Sequence, residues 1–257
     1  MKINKRAILP VALTLAAMCA GFSSIVMSAH NEFVWAARLI ILSMILDGLD
    51  GAMARLLKGT SSFGAELDTF VDMTSFGIAP ALLAYEACWH NFGAWGKVLA
   101  GFMVLSGASR LSRFRIIDPL RGQGGFLGLP ITCAGGFVTC IIFVANSGAI
   151  KEWGWDSWFS LSQGPMAWCV WTAVTLMLVL QVSHVRYTKA SKHPVVFLAG
   201  IALVVALFFN IHLLASVAAL AGCAAGFYFA FLSPFIHPPG AKPAPAAQPP
   251  EKPVAAV

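Results

Sequence analysis

Apolar residues run through this chain in long blocks, at about 7–28, 33–56, 68–88, 95–112, 126–147, 164–185, 194–209 and 211–235. A helix crossing a bilayer needs ~20 predominantly apolar residues, so most of these blocks have spanning or near-spanning length. The pattern predicts an all-α integral membrane protein, a polytopic bundle of about eight transmembrane helices. Asn210 and His212 mark either a short turn between the last two or a kink within one element. From Pro238 the chain reads "PPGAKPAPAAQPPEKPVAAV", a Pro/Ala-rich composition that predicts a disordered tail over 237–257. Residues 1–236 then form one transmembrane domain.

The polar positions between the blocks set an orientation. With the N-terminus in the cytoplasm, Lys2, Lys5, Arg6, Arg55, Lys58, Arg110, Arg113, Arg115, Arg121, Arg186, Lys189, Lys192, Lys242 and Lys252 fall on the cytoplasmic side. Only Arg38, Lys97 and Lys151 fall at the other face, which is the positive-inside bias. Both termini are expected in the cytoplasm. The stretch 148–164, with Trp153, Trp155 and Trp158, reads as an outer interfacial loop. The first thirty residues also have the basic start and apolar middle of a signal peptide. Their apolar run is long enough to span, and removing it would spoil the parity of the charge bias, so it is read as the first helix.

Composition agrees. Hydrophobic residues make up 58% of the chain and charged ones 11%, against about 25% charged in a soluble domain. The net charge of +6 lies in short clusters between apolar runs rather than in a solvated stripe, so no nucleic-acid partner is expected. The six cysteines show no CxxC and no pairing with histidine, and read as small buried hydrophobes. The histidines at 30, 90, 184, 193, 212 and 237 fall at predicted helix ends or in loops, and none is assigned to catalysis.

One stretch breaks the apolar pattern. "LDGLDGAMARLLKGTSSFGAELDTFVDM" contains Asp47, Asp50, Glu66, Asp68 and Asp72, out of eleven acidic residues in the whole chain. A charge at bilayer depth is costly, so such residues usually face a cavity and mark function. Asp47, Asp50/Gly51 and Ala54/Arg55 share a helical face at the end of the second block. Gly64, Asp68 and Asp72 share another at the start of the third. A short linker folds one against the other, and four carboxylates converge while Glu66 points elsewhere. They cannot all remain ionised without compensation. Hard divalent cations supply it, Mg²⁺ or Mn²⁺, with Ca²⁺ as a further candidate, and carboxylate-held ions commonly grip phosphates. Two other readings attach to single features: the glycines as close helix packing, and the aspartates as the path of a cation transporter.

The spacing Asp47-x2-Asp50-Gly51-x2-Ala54-Arg55-x8-Gly64-x3-Asp68-x3-Asp72 resembles, position for position, the signature of the CDP-alcohol phosphatidyltransferase family. The resemblance implies a membrane enzyme that displaces CMP from a CDP-linked lipid with an alcohol. It implies two divalent cations, with Asp47, Asp50 and Asp68 as metal ligands and Asp72 as the general base that also touches a metal. Gly51, Ala54, Arg55 and Gly64 would line the cytidine-diphosphate site, and a homodimer is implied. "SFGIAPALL", "SGASRLSRFR" and "GGFLGLP" resemble the serine-accepting branch of the family. "DTFVDM" lacks the Pro and Lys typical of the branch that uses glycerol 3-phosphate. The expected partners are therefore CDP-diacylglycerol and L-serine, giving phosphatidylserine and CMP at the cytoplasmic face of the inner membrane. The alternatives are inositol phosphate, choline or glycerol 3-phosphate as acceptor. Arg110, Arg113 and Arg115 lie at the depth of the carboxylates, where a guanidinium can grip a carboxylate or phosphate, or where each serves only as a positive-inside charge. Gly122, Gly124, Gly125 and Gly128 are expected in a mobile loop over the site, or in a plain connector.

Overall fold

The computed structural model describes residues 5–59, 61–116, 125–155, 159–188 and 212–236. The run at 194–209, the glycines at 122 and 124, and the C-terminal tail lie outside these residues. The chain is mostly helical. Helix α1 spans Ile8–Ala29, α2 Phe33–Leu56, α3 Ser62–Asp72, α4 Ala79–Ala87, α5 Ala94–Ile116, α6 Ile131–Asn146, α7 Ala149–Glu152, α8 Gly164–Val182, α9 His212–Phe231 and α10 Ser233–Ile236. Among the described residues, four helices are long and apolar enough to cross a membrane: Ile8–Ala29, Ser62–Ala87, Gly164–Val182 and Leu214–Phe231. Helices α2 and α5 have comparable length, about 36 and 34 Å at 1.5 Å per residue, but carry charged residues.

The third membrane segment begins at Ser62, earlier than its apolar run, because Ser61 caps it. The Ser61 side chain accepts from the Gly64 N–H at 3.0 Å and satisfies one orphan donor of the first turn. The segment is also irregular. Between α3 and α4 lies a π-helical turn, Met73–Ile78, starting one residue after Asp72. Such turns add a residue to the helix and are frequent at functional sites.

Helix α1 buries one narrow stripe, Pro10, Thr14, Ala17, Gly21, Ser24 and Ser28, spaced alternately four and three apart, with Ala20 buried beside it. That spacing keeps a single face turned to its partners. Small residues let the neighbouring backbones approach closely, as is common between helices in a bilayer. Ser43 Oγ of α2 donates to Ala17 O at 2.8 Å, and Ser75 Oγ of the π turn donates to the same carbonyl at 3.5 Å. A Cβ on Gly21 would collide with Ser75 Oγ. One face of α1 is thereby fixed to both segments that carry the aspartates.

The core centres on α6, which packs against α2, α4, the π turn and α9. Phe76, Leu83, Ile131, Ile142, Phe143, Met177 and Leu178 are among its fully buried side chains. Buried serines and threonines mostly turn to backbone carbonyls, as Thr139 does to Gly135 O at 2.7 Å. Among the described residues the cysteines are unbridged; Cys88, Cys140 and Cys223 are buried, and Cys19 and Cys169 are exposed on the helix surfaces.

The all-helical expectation omits one feature. Gly125–Leu127 (β1) pairs antiparallel with Arg186–Thr188 (β2), Phe126 opposite Tyr187. Gly128 N–H donates to Val185 O at 2.8 Å and Leu129 N–H to Leu180 O at 3.0 Å. The stretch expected as a mobile loop is thus pinned from Gly125 onward. Gly128 adopts φ +75°, and a Cβ there would collide with Gln181 O. The Tyr187 hydroxyl donates to Ala230 O at 2.9 Å, tying the ribbon to α9. Burial holds this phenol up at about 12, so it remains a donor at neutral pH.

Two glycine substitutions test the packing. A Cβ on Gly135 would lie 2.7 Å from the backbone oxygen of Phe76, whereas one on Gly101 meets nothing within 4 Å. Gly135→Ala is expected to destabilise the detergent-solubilised protein by about 1–3 kcal/mol, as overpacking does, and Gly101→Ala to leave its melting temperature unchanged. Equal melting curves for both variants would refute the close contact of α6 with the π turn.

Candidate active site

The carboxylates come from the two antiparallel segments joined by residues 57–61. Asp47 and Asp50 lie one turn apart toward the end of α2, and Asp68 and Asp72 one turn apart toward the end of α3. The connection is held tightly. Lys58 adopts φ +50°, Gly59 N–H returns to Ala54 O at 3.0 Å, and a Cβ on Gly59 would collide with the backbone oxygen of Arg6. Gly is therefore required where the N-terminal segment crosses the turn.

One carboxylate oxygen from each of Asp47, Asp50 and Asp68 lies within 4.8 Å of the others. Asp50 is only 5% exposed, and Asp47 Oδ1 is buried with no hydrogen-bond partner. Like-charged oxygens held this close repel unless a proton or a cation sits among them. The donor set is oxygen only, which suits a hard divalent ion. The orphaned Asp47 oxygen is the group such an ion would satisfy, so these residues fit a divalent cation. Asp72 stands outside the three-oxygen cluster but within its field: its charge interacts with those of Asp68, Asp50 and Asp47, and with Arg110.

Beside the cluster opens a cleft of about 170 Å³, with Asp50 and Asp68 on its polar side. Gly51, Ala54 and Gly64, expected to face a bound ligand, line this same cleft. Arg55 lies one turn beyond Gly51, its Nη1 3.5 Å from where a Cβ on that glycine would stand. The other wall comes from α1, through Pro10, Val11 and Thr14. Nothing in the acidic motif points to these three; their signal is the spaced stripe of small and polar residues in the first apolar run. Thr14 Oγ1 is hydrogen-bonded to Asp50 Oδ2.

The three arginines of α5 divide. Arg110 is 8% exposed, stacks over Phe114 at 5.8 Å and interacts with Asp72. Arg113 instead closes the end of α8, donating to Val182 O at 2.7 Å, Ser183 O at 2.8 Å and Gln181 O at 3.2 Å. A cation at a helix C-terminus satisfies orphan carbonyls and meets the negative end of the dipole. Arg115 pairs with Glu66 and donates to Ala65 O at 3.0 Å. Glu66 does point away from the cluster, as its helical phase predicts, and it finds this partner. The described histidines lie elsewhere: the ring nitrogens of His30 and His90 meet Val26 O and Tyr85 O at helix ends.

A model of the CDP-alcohol phosphatidyltransferase family matches residues 7–228. The chain belongs to that family. A protein of Helicobacter pylori named CDP-diacylglycerol–serine O-phosphatidyltransferase is 34% identical over 192 residues, covering 75% of this chain and 76% of that one. Proteins of the same name from Bacillus subtilis and Methanocaldococcus jannaschii are 32% identical over 138 residues and 45% identical over 93. These alignments cover 54% and 36% of this chain, and 77% and 43% of the respective relatives.

The arginine geometry yields an expectation about stability. Arg113→Lys keeps the charge but loses the planar fork that reaches three carbonyls. Hydrogen bonds to charged groups contribute about 1.5–3 kcal/mol, so this variant should lower thermal stability measurably. An unchanged melting temperature would show that the carbonyl contacts contribute nothing.

Proposed function

We propose that this chain is a CDP-diacylglycerol–serine O-phosphatidyltransferase, a phospholipid-synthesising enzyme that makes phosphatidylserine and CMP. The observation that carries the reading is one cleft. Asp50 and Asp68 of the three converging carboxylates form one side, and the glycines and alanine of the CDP-alcohol motif form its walls. The name carried by relatives aligned over three quarters of the chain supports serine as the acceptor.

In this reading the serine hydroxyl attacks the phosphorus esterified to diacylglycerol. A new P–O bond forms to serine, the bond to CMP breaks, and the hydroxyl proton passes to the Asp72 carboxylate. Asp72 fits that role through its position, one turn from Asp68 and close to a buried arginine. Two divalent cations, Mg²⁺ or Mn²⁺ with Ca²⁺ as a further candidate, held by Asp47, Asp50, Asp68 and Asp72, would neutralise charge on the diphosphate. Gly51, Ala54 and Gly64 leave room for the nucleotide against the helix backbone, and Arg55 meets its phosphates. Arg110 is assigned to the serine carboxylate on its place beside Asp72, while Arg113 meets carbonyls and Arg115 meets Glu66.

The whole is an inner-membrane protein of about eight spans with cytoplasmic termini and residues 1–236 as the catalytic unit. Its supports are the eight apolar runs and the end-to-end charge asymmetry: Arg55, Arg110, Arg113, Arg115 and Arg186 lie at the carboxylate end, and Arg38, Lys97 and Lys151 at the other. The active site then faces the cytoplasm.

The direct test is incubation of purified protein with CDP-diacylglycerol and labelled serine, choline, glycerol 3-phosphate or inositol phosphate. Labelled lipid and CMP are expected with serine; EDTA should reduce both to background and Mg²⁺ or Mn²⁺ should restore them. Product from another alcohol but not serine would overturn the acceptor, and full turnover in EDTA would overturn the metal reading.

Asp72→Asn separates base from ligand. It preserves size but removes the proton acceptor, so kcat should fall about 10²–10⁴-fold while some CDP-diacylglycerol binding is left. Near-normal kcat in this variant would move the base elsewhere.

A further inference from the structure

We propose that Thr14 is a positioning residue for the metal centre, one that orients Asp50 through its hydroxyl. The inference rests on the reading above that Asp47, Asp50 and Asp68 hold a divalent cation.

Thr14 belongs to a helix with no acidic residue, thirty-six positions before Asp50 in sequence. Its side chain is 4% exposed, and its Oγ1 lies within hydrogen-bond reach of two acceptors, Asp50 Oδ2 and Pro10 O at 3.0 Å. A hydroxyl has one proton to give. An ionised carboxylate is the stronger acceptor, so the proton goes to Asp50, and the Pro10 carbonyl is its fallback when that charge is absent. With Oδ2 held by Thr14, rotation of the carboxylate is restricted where Asp50 approaches Asp47 and Asp68.

The hydroxyl can do this only because its backbone is fixed. Ala17, one turn further along the same face, receives both Ser43 and Ser75 at its carbonyl. Gly21, another turn on, is in contact with Ser75. Thr14 is therefore registered simultaneously against α2, which carries Asp50, and against the segment that carries Asp68 and Asp72. Partners of this kind, which orient a ligand without binding the ion, typically affect metal affinity or activity 10–100-fold.

The test uses the full chain in detergent and Mn²⁺ as probe. Binding is read from the loss of the free-ion electron paramagnetic resonance signal, and turnover from CMP release across a Mn²⁺ titration. Thr14→Val keeps the shape and removes the donor. It should weaken Mn²⁺ binding about 10–100-fold and raise the Mn²⁺ concentration for half-maximal turnover in parallel. Thr14→Ser should restore both to within a few-fold of wild type. Should the valine variant fail to fold, Thr14→Ala is read by the same criteria. Wild-type Mn²⁺ affinity in a folded Val or Ala variant overturns the proposal, as does a serine variant no better than valine. Wild-type protein that binds Mn²⁺ but releases no CMP with any alcohol overturns the proposed reaction and leaves the binding comparison to decide the role of Thr14. Wild-type protein that binds no Mn²⁺ overturns the metal assignment and this proposal together.

Discussion

The mutual repulsion of carboxylates held away from water is the constraint on which the remaining structure depends. Asp47, Asp50 and Asp68 bring their oxygens within 4.8 Å, whereas the described acidic residues outside the motif, Glu32, Glu86 and Glu152, stand at helix ends. An uncompensated charge in low dielectric costs several kcal/mol, and three together cost more. The architecture answers in two ways. It keeps the cluster at one end of the bundle, beside a cleft lined in part by Asp50 and Asp68. It also supplies fixed partners, the Thr14 hydroxyl for Asp50 and the Arg110 charge for Asp72. The tight turn at Gly59 and the cap at Ser61 follow from the same need, since they set the register in which the two acidic helices meet.

That requirement gives α1 its importance. Read as sequence, its 22 residues are an apolar span with little to distinguish them from a signal peptide. In the fold they form the third wall of the cleft and the reference against which both acidic segments are aligned. The information was present, in the four-and-three spacing of Pro10, Thr14, Ala17, Gly21, Ser24 and Ser28. It was weak because small residues in membrane helices mark close packing of any kind, and no periodicity tells which helix will be the partner.

The acidic cluster was legible because its geometry is local. Helical phase places Asp47 with Asp50 and Asp68 with Asp72, and a short linker leaves only an antiparallel return. The arginines of α5 were legible in depth but not in partner. Arg110, Arg113 and Arg115 sit within six residues, yet one approaches Asp72, one caps a helix whose end is some 70 positions away, and one pairs with Glu66. Long-range partners of this kind leave no trace in spacing. The π turn after Asp72 and the ribbon of Gly125–Leu127 with Arg186–Thr188 were hidden for a related reason. Each is too short to impose a period, and each is fixed by contacts with elements distant in sequence.

The placement of polar groups along the bundle separates group transfer from ion transport. A transport path needs groups that can bind or relay an ion from one face to the other. Among the described residues, the buried polar groups between the two ends are neutral, and most are hydrogen-bonded, Ser24 Oγ being an exception. Thr139 and Ser43 donate to carbonyls of α6 and α1, and Ser106 donates to Gln181 at 2.9 Å. The buried ionisable residue toward the far end is Arg38, a cation packed on the Trp35 ring at 4.7 Å, which would oppose a cation rather than pass it. Among the described residues, no buried acidic group continues from this centre toward the far end. A lipid-linked diphosphate suits this arrangement because its tails stay in the bilayer while its headgroup reaches the carboxylate end. The apolar faces of Pro10, Val11, Ala54 and Ala65 around the carboxylates provide that amphipathic lining.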